Sequence, residues 1–330
     1  MLNDIAAFLK EMPIKHYLRG GLFSTKEPTL VFSIGGDKVE ALAAGARGGG
    51  VGYERSLEKD NDAPPLATGH SNPSGGAGSR TLSRKLSSRY RLGKNVRHLF
   101  VVDTPIKDQL FVVTTLEKWR HKTVASALEE LHENPQQVFG SWEHAPFRWA
   151  ITNREINLGV EANPRIDEPI LVMGMDEELC ASLEAWSDSQ EAAIMAILPL
   201  SVAALAWCNA TLPTKVRDSL IVVATDQGSV GAAFKRRSLI YISEQYESAS
   251  DAFSTLEMES DELGLEQPVQ YLWSLNHSEE RLIVPKDAVL IDEENIEAIS
   301  GHSLDLQEGH GKQMKQNRPI SHLLNWLASV

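Results

Sequence analysis

Apolar positions along the chain recur with two periods, and their alternation lays out a protein of mixed strands and helices. Thr29–Arg55 (TLVFSIGGDKVEALAAGARGGGVGYER) opens with the apolar run Leu30–Phe32 and passes a glycine-bearing turn. A small-residue strand, Val39–Ala44, follows, then a glycine-rich turn and a third strand. Ser219–Glu244 (SLIVVATDQGSVGAAFKRRSLIYISE) repeats the outline: Leu220–Ala224, a turn holding Asp226 and Gly228, Val230–Phe234, a basic turn and a third strand. Glycine permits positive φ and close approach of backbone to a ligand, so turns of this kind can cradle phosphates. A repeat on this scale predicts a duplicated domain. Two unrelated meanders within one α/β chain are the alternative.

The remaining periodicity fills in the order. Leu99–Asp103 and Gln109–Thr115 predict a hairpin, and Val124, Ala127, Leu128 and Leu131 predict a helix over Thr123–His132. Phe147–Thr152 and Pro169–Met173 predict strands. Asp176 then caps a helix over Glu177–Trp186. The longest apolar run, Ala192–Cys208, is too short and too interrupted by Pro199 and Ser201 to span a bilayer. It reads as a strand (Ala193–Ile197), a turn at Pro199 and a buried helix. The acidic stretch Glu244–Glu266 keeps a faint helical pattern, Leu282–Val284 and Ala288–Ile291 predict strands, Asp305–Arg318 a polar loop, and Ile320–Leu327 a closing helix. At the other end, Ile5, Phe8 and Leu9 share a helical face before Pro13. That face either packs on its own domain or docks on a membrane or partner.

Composition narrows the function. The chain has 330 residues, enough for two cores, and a net charge of −13. That balance excludes a general nucleic-acid binder, which needs a cationic surface. One stretch runs against it: Ser79–His98 carries seven Lys and Arg residues and no acid. It follows the Pro-, Gly- and Ser-rich Asp60–Gly78, and the two together predict a flexible basic loop over 60–98. The basic half suits an anionic membrane surface or an acidic partner, or is neutralised by the chain's own acids. Cys180 and Cys208, in apolar helical stretches, read as buried thiols of a reducing compartment. No signal peptide opens the sequence, and a cytoplasmic location follows as an expectation. The glycine run Ala46–Tyr53 lacks a P-loop Lys-Ser/Thr, the ten histidines show no metal spacing, and no G-x-S-x-G elbow occurs.

The order of a glycine-turn meander, an inserted module, PILVMGMDEELCASLEAW, ILPLSVAALAW and DSLIVVATDQGSVGAAF resembles the actin-like proteins of type IV pilus and type II secretion inner-membrane platforms. These are the PilM type, relatives of the division protein FtsA, and the likeness covers most of Thr29–Ile242. It implies an α/β, two-lobed actin-like (duplicated RNase H-like) fold with an inserted small α+β module. The division expected is an N-terminal segment at 1–28, a first lobe beginning at 29–98 and resuming at 169–215, the module at 99–168, and a second lobe at 216–330.

The resemblance places any nucleotide at Gly35, Gly36 and Asp37 of the first turn and Asp226, Gly228 and Ser229 of the second. The departures are pointed. Ser33 stands where the family has an aspartate near the nucleotide's metal ion, Glu40 stands where a lysine is usual, and Ala232 and Ala233 replace polar residues. No glycine pair follows the strand near Leu282–Ile291. Together these imply no resident cofactor, with ATP and magnesium as the alternative. The role implied is a scaffold peripheral to the inner membrane that binds the short cytoplasmic tail of a platform protein. Phe139 and Trp142, in the loop VFGSWEHAP, are the expected contact residues, since aromatics in shallow grooves anchor peptides. Phe111 and Trp149, on predicted strands, are assigned to the module's own core. Two other readings stand beside the scaffold: an active actin- or sugar-kinase-like ATPase using Asp226 and Gly228, and a soluble adaptor of unrelated α/β fold.

Overall fold

The computed structural model describes residues 29–35, 38–44, 50–56, 97–105, 108–121, 123–135, 146–154, 156, 164–189, 191–213, 216–275, 288–291, 320, 323, 324, 326 and 327, with backbone alone for 38–44 and 50–56. In chain order the elements are β1 (Thr29–Gly35), β2 (Lys38–Ala44), β3 (Gly50–Ser56), β4 (Arg97–Asp103), β5 (Gln109–Thr115), α1 (Val124–Glu133), β6 (Phe147–Asn153), β7 (Pro169–Asp176), α2 (Glu177–Ser189), β8 (Ala193–Pro199), α3 (Leu200–Thr211), β9 (Asp218–Thr225), β10 (Gly228–Lys235), β11 (Ser238–Tyr246), α4 (Ala249–Glu262), β12 (Val269–Ser274) and β13 (Val289–Ile291).

The duplication expected from the two meanders is present in the sheets. One five-stranded sheet runs β3-β2-β1-β4-β8 and a second runs β11-β10-β9-β12-β13. In each, the first three strands are antiparallel, and the next two add in parallel to the first strand of the meander. β1 and β9 are continuous apolar runs because each lies in the middle of a sheet covered on both faces. This is the two-lobed actin-like α/β arrangement.

The hairpin expected from Leu99–Asp103 and Gln109–Thr115 does not form. β4 pairs in parallel with β1 and β8, whereas β5 pairs with β7 in a separate three-stranded sheet ordered β5-β7-β6. The apolar alternation of LFVVD suits either partner, so periodicity alone did not choose between them. The same topology moves the edges of the module. β4 belongs to the first lobe, and Pro169–Met173, assigned by sequence to that lobe, lies on β7, the central strand of the module's sheet.

The module's sheet is covered on both faces. On one, Trp149, Ile151, Ile170 and Val172 pack with Ala127, Leu128 and Leu131 of α1. On the other, Phe111, Leu171 and Met173 join a core shared with Leu239 and Ile242 of β11. Phe111, assigned to the module's own core, therefore packs against the second lobe. Trp149 stays where it was expected, its ring so close to Gly174 that a Cβ there would stand 2.7 Å from it.

The helix α3 is apolar all round, and every residue from Leu200 to Asn209 is buried. A helix of that kind belongs at the centre of a molecule. It lies in one core with Val31, Leu99 and Val101 of the first sheet and Ile221, Val223 and Trp273 of the second. Leu323, Leu324 and Leu327 of the expected closing helix are buried in the same core, and so is Ile320. Among the described residues no helix is long and apolar enough to cross a membrane.

A second core lies between the first sheet and α2. There Phe32, His98, Phe100 and Trp186 form an aromatic cluster, with His98 stacked on Trp186 at 5.1 Å. His98 is fully buried, its Nδ1 lies 2.9 Å from Ser187 Oγ, and burial pushes its pKa down to about 3. Because the folded value lies below the unfolded one, His98 supports the fold above about pH 6.5 and that support is lost as pH falls toward 3. Between these values His98→Phe is expected to flatten the pH dependence of unfolding free energy by about 1 kcal/mol per pH unit. Urea titrations of both proteins from pH 7 to pH 4 measure this, and equal slopes refute it. Cys180 and Cys208 are buried free thiols, and burial pushes the Cys180 pKa up to about 12.

Candidate functional site

The site is built where strands of both sheets end. β1 and β4 run in parallel and in register, so Gly35 and Asp103 finish side by side. Side chains alternate along β1, which puts Ser33 on the face of Val31, toward the core between the lobes, and Phe32 on the face of α2. Ser33 is itself buried, at 7% exposure. Its cross-strand partner is Glu40, so the two first-turn positions that depart from the pattern the sequence resembles are neighbours in the ladder. Gly36 and Asp37 lie outside the described residues, as do Phe139, Trp142 and most of 60–98.

From the other lobe comes the β9–β10 turn. Thr225 and Gly228 pair across it, with Asp226 and Gln227 at its tip. Gly228 has φ +146, and a Cβ there would stand 2.7 Å from the Tyr246 carbonyl oxygen and 2.9 Å from Gln245 Cγ. Only glycine fits. Ser229 follows inside β10 and is buried. The turn closes with the Thr225 hydroxyl 3.1 Å from the Gly228 carbonyl oxygen and the Gln227 N–H directed at Thr225 Oγ1 at 3.3 Å.

Asp103 joins the two halves. Its carboxyl faces the polar groups of Thr225, Asp226 and Gln227 in the β9–β10 turn. Burial pushes its pKa up to about 6, the Asp226 charge pushes the same way, and the neighbouring polar groups of Thr225, Gln227 and Asp226 oppose them. The chain just after it is pinned to the second lobe as well. Gln109 Nε2 donates to the Thr104 carbonyl oxygen at 2.9 Å and to Gln245 Oε1 of β11 at 3.0 Å. Thr104 Oγ1 and Gln109 Oε1 are buried there with no hydrogen-bond partner among the described residues.

Gly35 thus lies beside Asp103, and Asp226 and Gly228 belong to the β9–β10 turn, with Ser229 directly behind it. Sequence reasoning missed Asp103, Thr225 and Gln109. The signal for Asp103 was present: a lone acid ending the apolar run LFVVD. In sheets of this kind ligand sites lie beyond the carboxyl ends of parallel strands. Reading that run as a hairpin arm hid it.

Two sheets of one strand order, meeting at the turn of the second meander, define a two-lobed actin-like protein. Among solved structures, the chain is similar to a Bacteroides thetaiotaomicron protein of actin-like ATPase fold and unknown function (12% identity, 79% of this chain and 86% of that one, TM-score 0.43). It is similar also to a chain of the PilM–PilN type IV pilus biogenesis complex (9% identity, 76% and 81%, TM-score 0.47). A third is the cytoplasmic domain of EpsL, an inner-membrane component of the Vibrio cholerae type II secretion system (10% identity, 79% and 86%, TM-score 0.40). No protein-family model and no curated protein matches the chain.

Proposed function

We propose that the chain is a scaffold of a pilus or secretion inner-membrane assembly platform, with a degenerate nucleotide site. It works in the cytoplasm at the membrane surface and binds the short cytoplasmic tail of a membrane partner, in a groove of the first lobe and its module. The observation that carries this reading is the chemistry of the cleft. A magnesium-bound triphosphate needs carboxylate or water oxygens on the metal and free backbone donors on its phosphates. Ser33 offers a buried hydroxyl in place of a carboxylate, and the Gln227 N–H is already directed at Thr225 Oγ1 within the turn. The residues present therefore do not fit that ligand. What remains is a two-lobed body without a fitted ligand. Peptide recognition uses a groove with apolar anchors, and Phe139 and Trp142 are the anchors proposed.

Fluorescence titration with synthetic cytoplasmic tails of the membrane proteins encoded beside this chain tests the reading. One tail is expected to bind, and Trp142→Ala and Phe139→Ala to weaken it by at least about tenfold, the effect of losing a hot-spot aromatic. Unchanged affinity for every tail in folded variants overturns the groove. Calorimetry with Mg-ATP is expected to show no micromolar binding. A micromolar dissociation constant that Asp226→Ala abolishes selects the ATPase reading, which the retained Asp226 and Gly228 favour.

A further inference from the structure

We infer that Gln109 and Gln245 form a releasable clasp on the seam between the module and the second lobe, and that the seam opens from this end. β11 is shaped to aim Gln245 at the module. Its pairing with β10 slips twice, between Val230 and Ala232 and between Ala233 and Phe234, so that Ser238–Tyr246 spans the shorter Ser229–Lys235. In an unbroken strand every third residue changes face, and bulges of this kind re-aim side chains. Here they turn Leu239, Ile242 and Gln245 the same way. Leu239 and Ile242 pack with Phe111, Leu171 and Met173, and Gln245 meets Gln109 at the start of β5.

The two ends of the seam are made differently. At one, the Leu239 N–H donates to the Arg154 carbonyl oxygen at 2.6 Å, a bond between two backbones. At the other, Gln109 Nε2 donates to Gln245 Oε1 at 3.0 Å and to the Thr104 carbonyl oxygen at 2.9 Å. Gln245 Nε2 lies 3.5 Å from the same carbonyl. Thr104, Gln109 and Gln245 are all more than nine-tenths buried, yet Thr104 Oγ1 and Gln109 Oε1 have no hydrogen-bond partner among the described residues. A buried polar atom without a partner favours any state in which water reaches it. The side-chain end is therefore the one that opens, and Leu239 is the fixed end.

Release of the clasp reaches the site. Gln245 packs so close under Gly228 that a Cβ there would stand 2.9 Å from its Cγ and 3.0 Å from its Nε2. The clasp thus sets the footing of the turn that carries Asp226. The inference stands apart from the scaffold reading, because its test involves neither a membrane partner nor a nucleotide.

Hydrogen exchange of the full chain, followed by nuclear magnetic resonance, tests the clasp at the Gln109 side-chain amide and the Leu239 N–H. In the parent, the Gln109 amide protons are expected to exchange at least about tenfold more slowly than those of an exposed glutamine. Gln245→Leu removes one acceptor and should speed that exchange about fivefold or more. Thr104→Val keeps the side chain's shape and the backbone carbonyl but deletes the unpartnered hydroxyl, and should slow it by about fivefold. In both variants the Leu239 N–H should keep its rate within about twofold, since it lies at the fixed end. Gln109 protons as fast as exposed ones in the parent refute the clasp. Equal changes at Leu239 mean that the whole seam parts at once, and overturn the direction of opening. An unchanged rate in Thr104→Val overturns the bias assigned to the unpartnered atoms. Should Gln245→Leu fail to fold, the parent and Thr104→Val carry the test between them.

Discussion

Trp273→Ala is expected to lower the unfolding free energy by about 3–5 kcal/mol, the cost of deleting a large buried aromatic. Trp273 lies on β12, the parallel strand added beside β9, and none of its surface is exposed. Its ring centroid stands 4.5 Å from that of Trp207 on α3, a helix that follows the last strand of the first sheet. The pair therefore ties one lobe's sheet to a helix delivered by the other. Truncation leaves a cavity between elements that cannot collapse, because β12 is hydrogen-bonded on both sides. Trp273→Phe should cost less than half as much. It keeps most of the ring, and the indole N–H it removes has no hydrogen-bond partner among the described residues. Urea unfolding followed by circular dichroism and by tryptophan fluorescence measures both. A cost below about 1 kcal/mol for the alanine variant would mean that α3 does not join the lobes through this contact.

The duplicated meanders were legible because each carries its own local record. Leu30–Phe32 and Leu220–Ala224 are short unbroken apolar runs ending at glycine turns, as a strand buried on both faces has, and the glycine at Gly228 marks a turn that no side chain fits. Pro199 marked the junction where one long apolar run divides into β8 and α3, since proline ends a ladder and starts a helix readily. What local pattern does not contain is the choice of partner strand. β4 and β5 are adjacent in sequence and similar in pattern, yet they join different sheets, because the pairing is decided by what each buries: Phe100 lies against α2, Phe111 in the core shared with the second lobe. The site suffered from the same blindness. Gly35, Asp226 and Gly228 lie on glycine-turn motifs that stand out in the sequence itself. Asp103 acquires its role only through parallel pairing with β1 and contact across the cleft, and neither is written in the residues around it.

The same long-range logic governs Arg148, whose replacement by methionine is expected to cost about 1–3 kcal/mol at pH 8, less than the roughly 3–5 kcal/mol of breaking a fully buried ion pair because its acid partners are partly exposed. Arg148 on β6 is mostly buried, and α2 brings two acids to it. Its Nε and Nη2 donate to Glu177 at 3.0 and 2.5 Å, and its Nη1 donates to Glu184. Burial alone would lower the guanidinium pKa, but the Glu177 hydrogen bonds and the Glu184 charge raise it. The pair thus clamps the module's sheet to the helix that covers the first lobe. Glu177 is 40% exposed, so solvent screens much of its share, which holds the cost below that of a fully buried pair. Glu184 decides the pH dependence. Burial already raises its pKa while Arg148 lowers it, so removing Arg148 raises it further. An acid whose folded pKa lies above its unfolded value loses stability as pH rises through the folded value. The deficit of Arg148→Met should therefore be greatest at pH 8 and shrink toward pH 4.5. The triple variant Arg148→Met, Glu177→Gln, Glu184→Gln removes the stranded charges and should recover most of the loss. Urea titrations of the three proteins at both pH values decide the matter. A deficit independent of pH, or a triple variant as unstable as the single one, would place the cost in lost packing of the arginine stem rather than in uncompensated carboxylates.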